Sequence, residues 1–160
     1  MNDRPAADNR QLLENKHLSG AAWFYWIAAL SVVNSLVAAF GGQWNFVVGL
    51  GITQFFDAIA HAVASEFGTE VRLFALPFDL GAAAVFVLLG VLARKRFVAA
   101  YVVGLMLYAA DGLLFLLVQD WLGFGFHGLA TVFIIGGLHA CRQLRSLPEA
   151  GELAAACPSS

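Results

Sequence analysis

Four long apolar blocks divide this sequence, and each is about as long as a bilayer is thick. They cover residues 20–40, 73–93, 97–118 and 121–141. A helix rises about 1.5 Å per residue, so about 20 apolar residues cross the roughly 30 Å of hydrocarbon in a membrane. The sequence therefore predicts an all-α integral membrane protein with four transmembrane helices in a bundle.

Composition supports the lipid bilayer as the main partner and argues against nucleic acid. Charged residues make up 12% of the chain and apolar residues 60%, and the formal net charge is −2. A soluble domain carries about twice that share of charge. The sequence also lacks the Lys/Arg stripe with interleaved aromatic residues that holds a phosphate backbone. The only cysteines, Cys141 and Cys157, form neither a CxxC redox pair nor a four-cysteine zinc site.

A fifth segment, residues 46–65, is apolar but contains Gln54, Asp57 and His61. At about 100° per residue these side chains and Ser65 fall within an arc of roughly 80°, away from the apolar side chains. A central aspartate costs about 2.5–3.5 kcal/mol on insertion scales, so the segment inserts poorly alone. We predict an amphipathic or re-entrant helix, with five transmembrane helices as the alternative.

The distribution of positive charge favours four crossings over five. With four spans, eight of the nine Lys and Arg residues share one side and only Arg72 lies on the other. With five spans the division is four against five, which shows no bias. Since Lys and Arg accumulate in cytoplasmic loops, four spans with both termini cytoplasmic are expected. The Ala- and Gly-rich composition is typical of a bacterial inner-membrane protein.

The chain is predicted to have three parts. Residues 1–18 are expected to form a polar cytoplasmic tail, 19–142 the transmembrane bundle and 143–160 a disordered cytoplasmic tail. His17 falls in the first tail and carries no sign of function. Small residues predict close helix packing within the bundle, at Gly81-Ala82-Ala83-Ala84 in the second block and at Gly123 and Gly128 in the last.

Several ionisable and polar side chains fall near one level of the predicted bundle. Asp111 lies about 10 Å below the end of its block, where a carboxylate is costly unless it is protonated or partnered. Tyr108, one turn earlier, is expected to donate a hydrogen bond to it. Seven residues make up the candidate ligand-binding set: Asp111, His127, Asp79, Asp57, His61, Asn34 and Tyr108.

Three functional interpretations follow from this polar level. In the first, the protein is a structural or accessory membrane component, either alone, as a homo-oligomer or with a partner membrane protein. In the second, an outer pocket binds or senses a cation, a proton or a small polar solute. In the third, Asp57, His61 and His127 hold a metal ion for an intramembrane hydrolase, with Asp79 or Asp111 as general base. The sequence favours a non-enzymatic role, and a metal ion is the only cofactor these side chains suggest.

Overall fold

The computed structural model describes residues 4–40, 50–67 and 76–147, which form five helices and, within those ranges, no strand. The helices are α1 (Arg4–Ala39), α2 (Gly51–Phe67), α3 (Leu76–Arg94), α4 (Val98–Leu117) and α5 (Trp121–Ser146). The prediction of an all-α membrane bundle is confirmed.

Four of these helices are long and apolar enough to cross a membrane, and α2 is not among them. The spanning segments are Ala7–Val37, Leu76–Arg94, Val98–Leu117 and Trp121–Ser146. Helix α2 has only 17 residues. The four-helix interpretation therefore fits the structure, and the protein is a multi-pass membrane protein.

Aromatic contacts define the order of the helices around α1. Phe24 of α1 packs against Phe86 of α3, and Trp23 stacks on Phe133 of α5. Both neighbours run antiparallel to α1. Helix α4 completes the bundle through Tyr101, whose ring packs against Phe24. The interior is thus filled by large rings from α1, α3 and α4, whereas α5 contributes aliphatic side chains such as Ile134 and Leu138.

The outward faces of the spanning helices are apolar, as lipid contact requires. Trp26, Leu88, Met106 and Val132, one from each spanning helix, are each more than half exposed. In water such a surface would be unfavourable, whereas lipid tails solvate it.

A close backbone contact joins α1 and α5 at Gly20 and Gly137. A Cβ atom placed on Gly20 would lie 2.5 Å from the Gly137 Cα atom. The backbones therefore touch directly. The sequence predicted close packing at Gly81 and Gly128 instead. Both are exposed, and an added Cβ would meet nothing within 4 Å at either. Gly123 does pack closely, against the Phe115 ring.

The structure differs from the predicted division at residue 18. Helix α1 begins at Arg4 and continues without a break to Ala39. His17 is 1% exposed, which contradicts the interpretation of this histidine as part of a tail. At the other end, α5 extends to Ser146, and residues 148–160 of the predicted disordered tail lie outside the described residues.

His17 joins three helices at the end of the bundle opposite α2. The Tyr101 hydroxyl donates to the His17 carbonyl oxygen at 2.8 Å and lies 3.1 Å from His17 Nδ1. His17 Nε2 lies 3.4 Å from the Arg94 carbonyl oxygen. Nearby, Glu14 and Arg96 form an ion pair. Helix α1 is therefore fixed to α3 and α4 at His17, two residues before the predicted start of the bundle.

Candidate functional site

Asp111 is buried near the C-terminal end of α4 and has three hydrogen-bond partners. It is 7% exposed. Its Oδ2 atom accepts from the Gly51 amide at 2.7 Å and lies 2.9 Å from His127 Nε2. Its Oδ1 atom accepts from the Ile52 amide at 2.9 Å. Six residues separate Asp111 from Leu117, so the carboxylate lies about 9 Å inside the end of α4.

These contacts place the start of α2 inside the bundle. The first amides of a helix have no partner within the helix, and in a membrane no water is present to bind them. Here three successive amides bind side chains of spanning helices. Leu50 donates to Ser31 Oγ of α1 at 2.9 Å, and Gly51 and Ile52 donate to Asp111 of α4. The negative carboxylate also faces the positive end of the α2 dipole.

Local contacts complete this anchor. Ser31 donates its own hydroxyl proton to the Ile27 carbonyl oxygen at 2.8 Å, which leaves its oxygen free to accept from Leu50. Thr53 donates to the Leu50 carbonyl oxygen at 2.8 Å. Glycine is needed at position 51, since a Cβ there would lie 2.8 Å from the Phe115 ring. The start of α2 is therefore held by Ser31 of α1 and Asp111 of α4, and by the local bond of its own Thr53.

The apolar face of α2 points outward, as its sequence predicts. Phe55, Ile59 and Val63 are all exposed, whereas Thr53 is fully buried and Gln54 half-buried. An amphipathic helix at this place presents its apolar side to lipid or to another apolar surface.

His127 is held through both ring nitrogens. It is 3% exposed. Nδ1 lies 2.9 Å from the Gly123 carbonyl oxygen one turn earlier in α5, and Nε2 lies 2.9 Å from Asp111 Oδ2. A carbonyl oxygen can only accept, so Nδ1 carries a proton. No ring nitrogen is left for a metal ion, which argues against the predicted use of His127 as a metal ligand.

The Asp111–His127 pair holds one further proton between Nε2 and Oδ2. Because Nδ1 is protonated, a bond between Nε2 and the carboxylate needs a proton on one of those two atoms. Tyr108 stacks on the imidazole with ring centroids 4.2 Å apart, and Phe115 flanks it at 4.7 Å. Aromatic faces attract cations, so these rings favour an imidazolium beside a carboxylate. The pair is then neutral overall.

Tyr108 does not make the predicted hydrogen bond to Asp111. Its hydroxyl is buried and finds no hydrogen-bond partner among the described residues. Its role is instead the ring contact with His127 and an edge contact with Phe86 at 6.1 Å. The helical spacing correctly predicted that Tyr108 and Asp111 share a face of α4. The Asp111 carboxylate, however, lies about one turn closer to the C-terminal end of α4 and accepts from the amides of α2 instead.

The remaining predicted residues lie at the same end of the bundle. Asn34 of α1 and Asp79, in the first turn of α3, are both buried. Asp57 and His61 belong to α2, but their side chains lie outside the described residues. Among the side chains that the structure describes, no three from His, Cys, Asp and Glu lie close enough to hold a metal ion.

Sequence reasoning missed Ser31 as an anchor and the amides of Gly51 and Ile52 as the partners of Asp111. A signal for Gly51 was present, because a glycine followed by a helix pattern is typical of a close backbone approach. No pattern in the sequence could identify backbone amides of another helix as the partner of a carboxylate.

Comparison with known proteins adds no further constraint, since no protein-family model, curated protein or solved structure matches this chain.

Proposed function

We propose that the protein is a structural or accessory membrane component, a four-helix scaffold that holds α2 at one end of the bundle. The observation that carries this proposal is the anchoring of the Leu50 amide, just before α2, by Ser31 and of the first two α2 amides by Asp111. A buried carboxylate and a buried hydroxyl are thus used to position a helix. The exposed apolar face of α2 is then available to lipid or to a partner membrane protein.

The proposal includes an orientation. Lys and Arg residues cluster at the end of the bundle opposite α2, in the α3–α4 turn and the last turns of α5. By the positive-inside rule this end is cytoplasmic, as are both termini, and α2 lies at the outer face. The composition favours a bacterial inner membrane.

The contacts of the pair do not favour cation binding or hydrolysis. Asp111 already accepts two amide hydrogen bonds and contacts His127, and both nitrogens of His127 have partners. A cation would have to displace α2 to reach the carboxylate. Of the solutes considered from the sequence, a proton is the one that this geometry accommodates.

Thermal unfolding with added solutes tests the scaffold proposal. We expect the Tm of the purified protein in nanodiscs to be unchanged by saturating magnesium, calcium or zinc, since no ligand stabilises the native state. A bound cation at 100 times its Kd would add about 2.7 kcal/mol to the free energy of unfolding. A saturable rise in Tm that Asp111→Asn abolishes and Asp120→Asn retains would contradict the proposal. Asp120 is a suitable control because it accepts from two amides at the start of α5 without contacting a histidine.

A further inference from the structure

We propose that the Asp111–His127 pair is a proton-binding site whose second proton releases the start of α2 from the bundle. This inference rests on the proposed scaffold function and adds the signal to which the scaffold responds. It depends on the hydrogen-bond donors around Asp111 and on the position of α2 at the edge of the four-helix bundle.

Every described contact of the Asp111 carboxylate is with a donor. Two are amides of α2, and the third is the protonated Nε2 of His127. A carboxylate accepts all three, but a protonated carboxyl group must itself donate one hydrogen. None of the three neighbours can accept it when the imidazole is fully protonated. Uptake of a second proton by the pair therefore breaks at least one of these contacts.

Helix α2 is the partner most easily displaced. Asp111 and His127 belong to spanning helices that pack along their length, through Tyr108 and Phe115 among others. Helix α2 has exposed apolar residues along one face and is shorter than any spanning helix. Loss of its amide bonds would also remove the attraction between the carboxylate and the helix dipole.

Loss of the shared proton has a different consequence. With Nδ1 still donating to Gly123, Nε2 would present a lone pair to Asp111 Oδ2, and that contact would weaken. The carboxylate would remain charged and would still accept from Gly51 and Ile52. Acid therefore releases α2, whereas alkali loosens only His127.

Other titratable groups belong to the helices around the pair. The experiment must distinguish their protonation from that of Asp111 and His127. Helix α1 carries its acidic and basic side chains in its first half, towards the opposite end, and Tyr25 near its middle. On the remaining elements, the groups at the same end as the pair are Tyr108 on α4, Asp79 in the first turn of α3 and Asp120 before α5. Asp57, His61 and Glu66 belong to α2, and their side chains are outside the described residues.

Hydrogen–deuterium exchange of the full-length protein in nanodiscs tests the proposal. Protection factors, corrected for intrinsic exchange, are compared between about pH 8 and about pH 4, a range that includes the ordinary titration of imidazole and carboxyl groups. We expect protection of residues 50–53 to fall about tenfold or more at the acid end, as the loss of a charge-assisted hydrogen bond implies. Protection of residues 130–135, in the middle of α5, should change much less, because that segment has no ionisable side chain.

Variants identify the groups responsible. Asp111→Asn should show low protection of residues 50–53 at every pH. His127→Gln should change the pH dependence of protection at residues 50–53, because it removes the imidazole that shares a proton with the carboxylate. The response should survive in Asp79→Asn and in His139→Gln, which replaces an exposed histidine of α5.

Protection of residues 50–53 that is high and constant across this pH range would overturn the proton-linked release. It would leave the scaffold proposal standing, because that proposal requires only that α2 be anchored. A normal acid response in the Asp111→Asn variant would likewise overturn the assignment of the site.

Discussion

Replacing Asp111 by alanine is expected to lower the free energy of unfolding by about 3–5 kcal/mol, the usual cost of removing one member of a buried ion pair. The substitution removes the acceptor for the Gly51 and Ile52 amides and leaves His127 Nε2 without its partner. Each lost contact leaves a donor without its acceptor at the start of α2 or on His127. Reversible unfolding by a denaturing detergent in bicelles measures the difference.

Asp120→Ala is the matched control for this effect. Asp120 also accepts from two successive amides, of Leu122 and Gly123, at the start of a helix. It is only half-buried and has no histidine partner in the described structure. Its replacement should cost about 1 kcal/mol, as for an ordinary helix cap. Equal losses for the two variants would contradict a special role for Asp111 in the bundle.

The Gly20→Ala substitution is expected to cost about 3 kcal/mol or more, at the upper end of the range for overpacked interiors. The new Cβ atom would lie 2.5 Å from Gly137 Cα and 2.9 Å from Gly137 N. Both are backbone atoms, so no side chain can rotate away, and α1 and α5 must move apart. In a membrane, close backbone approach supplies much of the attraction between helices. The same unfolding measurement reports this loss.

Gly125→Ala and Gly128→Ala are controls for which no loss of stability is expected. Both glycines lie on α5, and an added Cβ would meet nothing within 4 Å at either position. Alanine has the higher helix propensity, so these variants should be unchanged or more stable by up to about 1 kcal/mol. Similar destabilisation at all three positions would contradict the specific contact between Gly20 and Gly137.

Segment length and hydrophobicity were sufficient to predict the spanning helices. An uninterrupted apolar block has few alternatives in a membrane, because only a helix satisfies its own backbone. The polar arc of 46–65 likewise predicted a helix distinct from the four spans, and the structure begins this helix at Gly51. The sequence correctly predicted that Asp111 and His127 lie at the same level. Asp111 is about two turns before the end of α4, and His127 is about two turns after the start of α5.

Contacts between distant segments were not predictable from helix periodicity. His17 follows a charged stretch and resembles a surface residue, and only its contacts with Tyr101 and the Arg94 carbonyl explain its burial. Gly20 and Gly137 meet because of how far α1 and α5 are shifted along their axes relative to each other. The lengths of the loops do not determine this shift. Tyr108 was assigned a hydrogen bond because its spacing from Asp111 suits one, but the carboxylate instead binds the amides of another helix.

The anchoring of α2 by Asp111 can be measured directly by solid-state NMR of the protein in lipid bilayers. Dipolar recoupling between the Asp111 Cγ atom and selected nitrogens reports their separation. Because the carboxylate oxygens lie 2.7–2.9 Å from the Gly51 and Ile52 amides and from His127 Nε2, strong coupling to all three nitrogens is expected at neutral pH. Coupling to His127 alone, with none to either amide, would show that α2 does not begin at this carboxylate and would contradict the proposed scaffold.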